Sequence, residues 1–344
     1  MVKIPADRGV AMPASRSILF GEVRTALHTE RISISAPSDF RLTAVKALEP
    51  AVASRAGLLP YCLDFPRRRS VYVGGVDPKG AQSAPFYYLH LRREARSVVS
   101  VPWEQGPLAS STARSPIFLF SPGRCGSTLL SRILSAAGST NVSEPDFYTQ
   151  STSALCASRF NPFRATIQTA IRDMGGDLAA ALDPAQSPVV KLRAESCRAP
   201  DLLLAPNERR TLFMTRGFEA WARSNGRAFR NGARKSVRKY LRAMACYAYL
   251  KRNSDCHLLK YENLLESPLS VTEALARFLG RDICAEAVRR TMKEDSQDGT
   301  PLRQGARPDL PGWEQRFDQT MALWNSDRLR QARDRLDVDE LATG

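Results

Sequence analysis

The chain has 344 residues, enough for two domains or for one large domain with an appendage. Hydrophobic residues make up 43% and charged residues 25%, which excludes collagen-like, coiled-coil and wholly disordered chains. The formal net charge of +15 predicts an anionic partner: nucleic acid, a phosphorylated small molecule or an acidic membrane surface.

Residues 1–110 predict a mixed, strand-rich N-terminal region. Short runs rich in β-forming residues lie at 17–20, 31–35, 70–76, 86–91 and 97–101, with turn-forming residues between them. Residues 106–115 are small and polar, and they contain the boundary that we predict. We therefore expect two units, residues 1–110 of unknown role and residues 111–344.

From Pro116 onward, short apolar strands alternate with longer helical periods. This alternation predicts an α/β domain with a mainly parallel sheet flanked by helices. The predicted strands are 117–120, 188–192, 211–215 and 256–260, and a helix is expected to start after Ser267 and to end at Gly280.

Neither a membrane-spanning run nor the apolar core of a signal peptide is found in the sequence, so we expect a cytoplasmic protein. The seven cysteines are scattered and only three histidines could join them as ligands. We therefore expect neither a disulfide framework nor a metal site.

The most informative segment is the turn between the strand at 117–120 and the helical period that follows. Successive backbone N–H groups and a helix N-terminus converge in such a turn, which predicts an anion site. An ordinary strand-to-helix connection would also be rich in Gly and Ser. The segment is not a Walker A loop, because no lysine lies within it. It reads Ser121-Pro122-Gly123-Arg124-Cys125-Gly126-Ser127-Thr128.

This loop resembles the 5′-phosphosulfate loop of sulfotransferases that use 3′-phosphoadenosine-5′-phosphosulfate (PAPS). In that family a proline precedes a basic residue, a small residue, glycine and two hydroxyl residues. The last five places are filled here by 124–128, with Gly123 inserted after Pro122. Arg124 replaces the lysine of the cytosolic members, a change that keeps the positive charge. The resemblance implies a P-loop-like sulfotransferase core with PAPS as donor, and no metal is required.

A second motif is similar to the family's 3′-phosphate site. Arg216 follows the strand at 211–215, and Ser224 comes eight residues later, as in sulfotransferases. An arginine offers a charge-assisted fork and a serine a further donor. Taken alone, the pair could be a surface arginine and a capping or solvent-facing serine.

Two later segments extend the resemblance from Pro116 to about Phe317. The run that begins at Tyr261 looks like the family's Tyr-Glu-Asp/Asn-Leu element. Arg303 and Gly305 are similar to its Arg-x-Gly loop, which closes over the nucleotide, although Trp313 follows at a longer gap than usual. These matches support nucleotide binding by Arg303 and Gly305.

For the chemistry of transfer, we expect Arg124 to stabilise the leaving group, while Ser127 and Thr128 bind the 5′-phosphate. No histidine lies between 128 and 216, where cytosolic members have their base. Glu144-Pro145 resembles the Glu-Pro step of other branches of the family, which implies that Glu144 is the base, with a pKa raised by burial beside an apolar acceptor. Asp146 is its rival, and Glu144 could instead cap a helix or pair with a cation. Lys191 could contact the sulfonate or the acceptor, or it could be a solvated charge.

A run of eight basic residues between Arg223 and Arg242 contains no acidic residue. It could be a solvated helix face, attract PAPS or bind an anionic acceptor; no nucleic-acid motif accompanies it, so we expect no nucleic-acid partner. Two other function classes remain open, a P-loop kinase-like phosphotransferase and a non-catalytic PAP-binding protein. The acceptor, a hydroxyl or amine of a small molecule, lipid or glycan, and the oligomeric state are not specified by the sequence.

Overall fold

A computed structural model describes residues 17–30, 32–48, 57–108, 114–157, 163–204, 210–294, 310–334 and 336. Within these ranges the first part of the chain forms an antiparallel sheet of six strands with the order β2-β1-β6-β5-β4, in which β3 also pairs with β1. The elements are β1 (Ile18–Ala26), β2 (Phe40–Leu42), β3 (Lys46–Leu48), β4 (Leu59–Asp64), β5 (Arg69–Gly74), α1 (Pro78–Ser83), α2 (Tyr87–Glu94) and β6 (Ser97–Pro102).

The second part forms a parallel sheet with the order β11-β10-β7-β9-β8, and helices flank it. Its elements, in chain order, are β7 (Ile117–Phe120), α3 (Ser127–Ala136), β8 (Asn141–Ser143), α4 (Asp146–Ala157), α5 (Arg164–Leu182), β9 (Val189–Lys191), β10 (Arg210–Thr215), α6 (Phe218–Ala228), α7 (Ala233–Asn253), β11 (Asp255–Lys260), α8 (Tyr261–Glu266), α9 (Pro268–Leu279), α10 (Ala285–Met292), α11 (Trp313–Trp324) and α12 (Asp327–Asp334). The predicted fold class, a mainly parallel α/β sheet beside a strand-rich N-terminal region, is confirmed.

The parallel sheet separates two hydrophobic clusters. Side chains of successive strand residues point to opposite faces, so Phe118 and Phe120 of β7 join one cluster while Ile117 and Leu119 join the other. The first cluster continues into the antiparallel sheet, which packs on α4 and α5. The two sheets therefore share one core, whereas the predicted boundary near residue 110 lies outside the described residues.

Two of the predicted N-terminal strands are wrong. Residues 87–91 begin α2, because burial of Tyr87 and Leu91 four residues apart on one helical face outweighs the strand preference of the two tyrosines. Residues 32–36 pair with no strand, and the backbone N–H of Ser35 donates instead to Asp146 at 2.8 Å.

Among the described residues, no helix has both the length and the apolar character needed to cross a membrane.

Candidate active site

The loop between β7 and α3 has an unusual backbone. Gly123, Arg124 and Gly126 have φ angles of 71°, 58° and 84°, all in the left-handed region. Left-handed residues in such a turn direct successive N–H groups toward a common concavity, which is a backbone arrangement suited to anions. Arg124 adopts this conformation despite its side chain, and such strain in a non-glycine residue is often found at functional sites.

The hydroxyl residues at the start of α3 complete this segment. Ser127 and Thr128 are buried at the first turn of the helix, where N–H groups lack helical partners. Pro122 and Cys125 are also buried, and burial raises the pKa of the Cys125 thiol. A protonated, buried thiol is consistent with Cys125 as a small loop residue.

The ring of Tyr261 packs directly on this loop. A Cβ atom placed on Gly126 would lie 2.2 Å from Cδ2 of Tyr261, so only glycine leaves room for the ring. The Arg216 guanidinium lies 4.7 Å from the centroid of the same ring, within the range of a cation–π contact. Tyr261 therefore connects the loop to Arg216.

Replacing Gly126 with alanine is expected to lower the free energy of unfolding by about 2–5 kcal/mol, because left-handed strain adds to the collision with Tyr261. Chemical denaturation measures this loss. Gly138→Ala is the matched control, since Gly138 has a φ of 75° but nothing within 4 Å of its Cβ position. Equal losses at the two glycines would contradict the packing argument.

Arg216 and Ser224 lie beside the loop. Arg216 follows β10, Ser224 lies on α6, and Nε of Arg124 donates to Oγ of Ser224 at 3.2 Å. Burial lowers the pKa of the Arg124 guanidinium, and the charge of Arg216 lowers it further. The structure thus brings together the two motifs that the sequence predicts to bind opposite ends of one nucleotide.

This pair of arginines forms a positively charged site. Nε of Arg216 is buried and has no hydrogen-bond partner. Among the residues that the structure describes, no carboxylate forms an ion pair with Arg124 or Arg216. Buried donors without a partner are costly, so an anion would satisfy them.

Lys191 also reaches the loop. This last residue of β9 is 3% exposed, and its Nζ donates to Oγ1 of Thr128 at 3.2 Å and to Oε1 of Glu144 at 3.0 Å. Glu144 follows β8 with a φ of 62°, again in the left-handed region. Lys191 is therefore a paired, buried group rather than a solvated charge. Its ammonium connects the Glu144 carboxylate to Thr128 of the loop.

The electrostatics of the two candidate bases differ. Burial works to raise the pKa of Glu144, but Lys191 and Arg193 outweigh it and the pKa is lowered. The expectation of a raised Glu144 pKa is wrong for this reason. Burial does raise the pKa of Asp146 to about 6, although Arg193 and Ser35 oppose the shift. Asp146 is fully buried and accepts hydrogen bonds from the N–H and hydroxyl of Ser35.

Asp146→Asn is expected to change the pH dependence of stability. Between about pH 4 and 6 the folded chain keeps a proton on Asp146 that the unfolded chain loses, so this carboxyl makes the free energy of unfolding fall as pH rises, by at most about 1.4 kcal/mol per pH unit. The variant lacks that contribution. Its unfolding free energy relative to the unmodified protein should therefore increase across this window, and parallel curves would contradict the shift.

Several residues that surround Glu144 and Asp146 were not predicted from the sequence. Arg193 donates from Nε to Oε2 of Glu144 at 3.2 Å, and its guanidinium lies 4.3 Å from the ring centroid of Tyr88. Its position two residues after Lys191 was the available signal. Ser35 and Tyr88 come from the N-terminal region, and no sequence motif marks them. Arg303 and Gly305 lie outside the described residues. Within the described residues, no group of three or more His, Cys, Asp or Glu side chains could hold a metal ion.

Comparisons with known proteins add the following. No family model and no curated protein matches this chain. Among solved structures, it is similar to the sulfotransferase domain from the curacin biosynthetic pathway, with 15% identity over 65% of this chain and 98% of that one and a TM-score of 0.40. Mouse sulfotransferase SULT7A1 complexed with PAP has 11% identity over 67% of this chain and 86% of that one, with a TM-score of 0.36.

A sulfotransferase from Alicyclobacillus acidocaldarius has 14% identity over 62% of this chain and 97% of that one, with a TM-score of 0.36. All three are sulfotransferases, the family that the sequence motifs resemble. At these identities and TM-scores the likeness carries no argument about what this chain does. The functional proposal therefore depends on the chain's own residues.

Proposed function

We propose that this chain is a sulfotransferase that moves a sulfuryl group from PAPS to a hydroxyl or amine of a small-molecule, lipid or glycan acceptor. The supporting observation is the contact between Arg124 and Ser224, beside Arg216, whose buried Nε has no hydrogen-bond partner among the described residues. A single ligand with anionic groups at two positions fits this arrangement. PAPS carries a phosphate at the 3′ position and a phosphosulfate at the 5′ position of one adenosine.

In this proposal the two ends of the donor have separate binding residues. Arg216 and Ser224 bind the 3′-phosphate, helped by N–H groups at the start of α6. The 5′ end is bound by the backbone and hydroxyls of the 122–128 loop, with Arg303 and Gly305 assigned to closure over the nucleotide. The buried Nε of Arg216, which has no partner within the described chain, provides a donor for such an anion.

When bound, PAPS supplies a sulfuryl group attached to a phosphate leaving group. Arg124 stabilises the negative charge that develops on the bridging oxygen, and its guanidinium keeps its own charge throughout. The acceptor oxygen or nitrogen forms the new bond to sulfur as the bond to the 5′-phosphate oxygen breaks. Glu144 takes the acceptor proton, and Lys191 orients that carboxylate toward the loop.

The structure favours Glu144 over Asp146 as the base in this proposal. Glu144 is partly exposed, and Lys191 links its carboxylate to Thr128 of the loop, so an acceptor bound beside the loop can reach it. Asp146 is fully buried; its Oδ2 accepts hydrogen bonds from Ser35, and its Oδ1 lies 3.3 Å from Nε of Arg193 in an ion pair. Asp146 therefore positions Arg193 on the acceptor side of the site.

Glu144→Gln is expected to lower kcat by about 100- to 1,000-fold while leaving the Kd for PAP within a few-fold, because general-base assistance is lost and binding is not. Initial-rate kinetics and calorimetric titration measure the two quantities. Asp146→Asn is the matched comparison. A smaller loss of kcat for Glu144→Gln than for Asp146→Asn would contradict the assignment of the base.

The experiment that tests the function compares the thermal stabilisation of the protein by PAP, PAPS, ATP and ADP, with and without magnesium. PAP and PAPS are expected to raise Tm more than ATP or ADP, since only they carry the 3′-phosphate. A larger effect of ATP with magnesium would favour a kinase-like phosphotransferase. A screen of acceptors with labelled PAPS follows, and tight PAP binding without any turnover would favour a non-catalytic PAP-binding protein.

A further inference from the structure

The basic run on α6 and α7 contains one lysine that reaches the loop. The ammonium of Lys239 lies 3.7 Å from the position that a Cβ atom on Gly123 would occupy. Other members of the run have different surroundings: Arg223 pairs with Glu219, and Arg227 lies over the ring of Trp313. The run is therefore not a uniform solvated face.

Lys239 is a partly buried cation close to the loop. Burial lowers its pKa, and the charge of Glu195 opposes this only in part. Within the described parts of the chain its ammonium makes no hydrogen bond or ion pair, and its aromatic neighbour is Phe229, whose ring centroid is 5.4 Å away. A half-buried ammonium beside an anion-binding turn is stabilised when an anion occupies that turn.

We infer that Lys239 is a further donor-binding residue, which contacts the anionic groups at the 5′ end of the nucleotide from the α7 side of the loop. This inference rests on the proposed function and adds a residue of the basic run that belongs to none of the motifs shared with sulfotransferases. Arg124 and Lys239 then place two cations around the same phosphosulfate. One is carried by the loop itself and the other by a helix packed beside it.

The test uses Lys239→Met, Lys239→Arg and, as matched control, Lys235→Met, which removes an exposed charge from the same helix. Calorimetry measures Kd for PAP, PAPS and adenosine 3′-monophosphate, which lacks a 5′ group. Lys239→Met should weaken PAP or PAPS about tenfold, the usual strength of one charge-assisted hydrogen bond, and leave adenosine 3′-monophosphate within twofold. Lys239→Arg should retain most of the affinity, and Lys235→Met all of it.

The outcomes separate the inference from the proposed function. A loss confined to PAPS supports the inference and assigns the ammonium to the sulfonate. Unchanged affinities for both PAP and PAPS in Lys239→Met overturn it, and so does an equal loss for adenosine 3′-monophosphate, which indicates a merely structural role. If the unmodified protein itself binds neither PAP nor PAPS, the proposed function fails and the inference fails with it.

Discussion

Replacing Arg216 with alanine is expected to raise the Kd for PAP by about 100-fold, the loss that follows when a charge-assisted fork to a phosphate is removed in a half-buried site. The affinity for ADP, which has no 3′-phosphate, should change little. Calorimetric titration with the two nucleotides measures both effects. Arg223→Ala is the matched control, because Arg223 is exposed on α6 and pairs with Glu219.

The structure also predicts that this variant folds. The side chain of Arg216 contacts the Tyr261 ring, while the backbone carbonyl of Arg216, which the substitution keeps, accepts a hydrogen bond from Tyr240. Removing a guanidinium that lies beside Arg124 relieves repulsion between like charges, so Tm without nucleotide should stay the same or rise. Equal PAP affinity in Arg216→Ala and in the unmodified protein would exclude the proposed site.

Replacing Arg124 with alanine is expected to have a different signature. Because this guanidinium is assigned to charge that develops during transfer, kcat should fall by about 100- to 1,000-fold while the Kd for PAP rises only a few-fold. Arg124→Lys should recover part of kcat, since it restores the charge but not the hydrogen bond from Nε to Ser224. Single-turnover rates with labelled PAPS measure the effect.

The comparison between Arg124 and Arg216 is the sharper result. Binding should fail mainly in Arg216→Ala, and turnover mainly in Arg124→Ala. If Arg124→Ala instead lost affinity as severely as Arg216→Ala and kept its kcat, Arg124 would be a ground-state binding residue only. The leaving-group role would then be rejected while the donor site itself would stand.

The parallel domain was largely predictable because its signals are local. Strand β7, the turn and the first residues of α3 are contiguous in sequence, and the strand that ends before Arg216 has an apolar centre, Leu212 to Met214. Gly280 ends α9 in the left-handed conformation, as its position predicts. Each of these elements can be inferred from a window shorter than about 20 residues.

The surroundings of Glu144 and Asp146 could not be predicted in the same way. The contact between Ser35 and Asp146 joins residues separated by 111 positions, and no sequence motif around Ser35 predicts this contact. The pKa of Glu144 depends on Arg193, whose approach follows from the pairing of β8 with β9. Strand β8 has only three residues, too few for a periodic signal. Tertiary contacts decide all of these features.

The shared core has a consequence for the order in which the molecule assembles. Tyr72 of β5 donates to Asp177 of α5 at 2.7 Å, and Gln150 of α4 accepts from the backbone of Leu63 at 2.7 Å. The strands leave the ribosome first, yet the helical partners that anchor them are synthesised much later. Contacts of such long range form slowly. The antiparallel strands are thus expected to reach their final place only after α4 and α5, which follow them in the chain, have been synthesised.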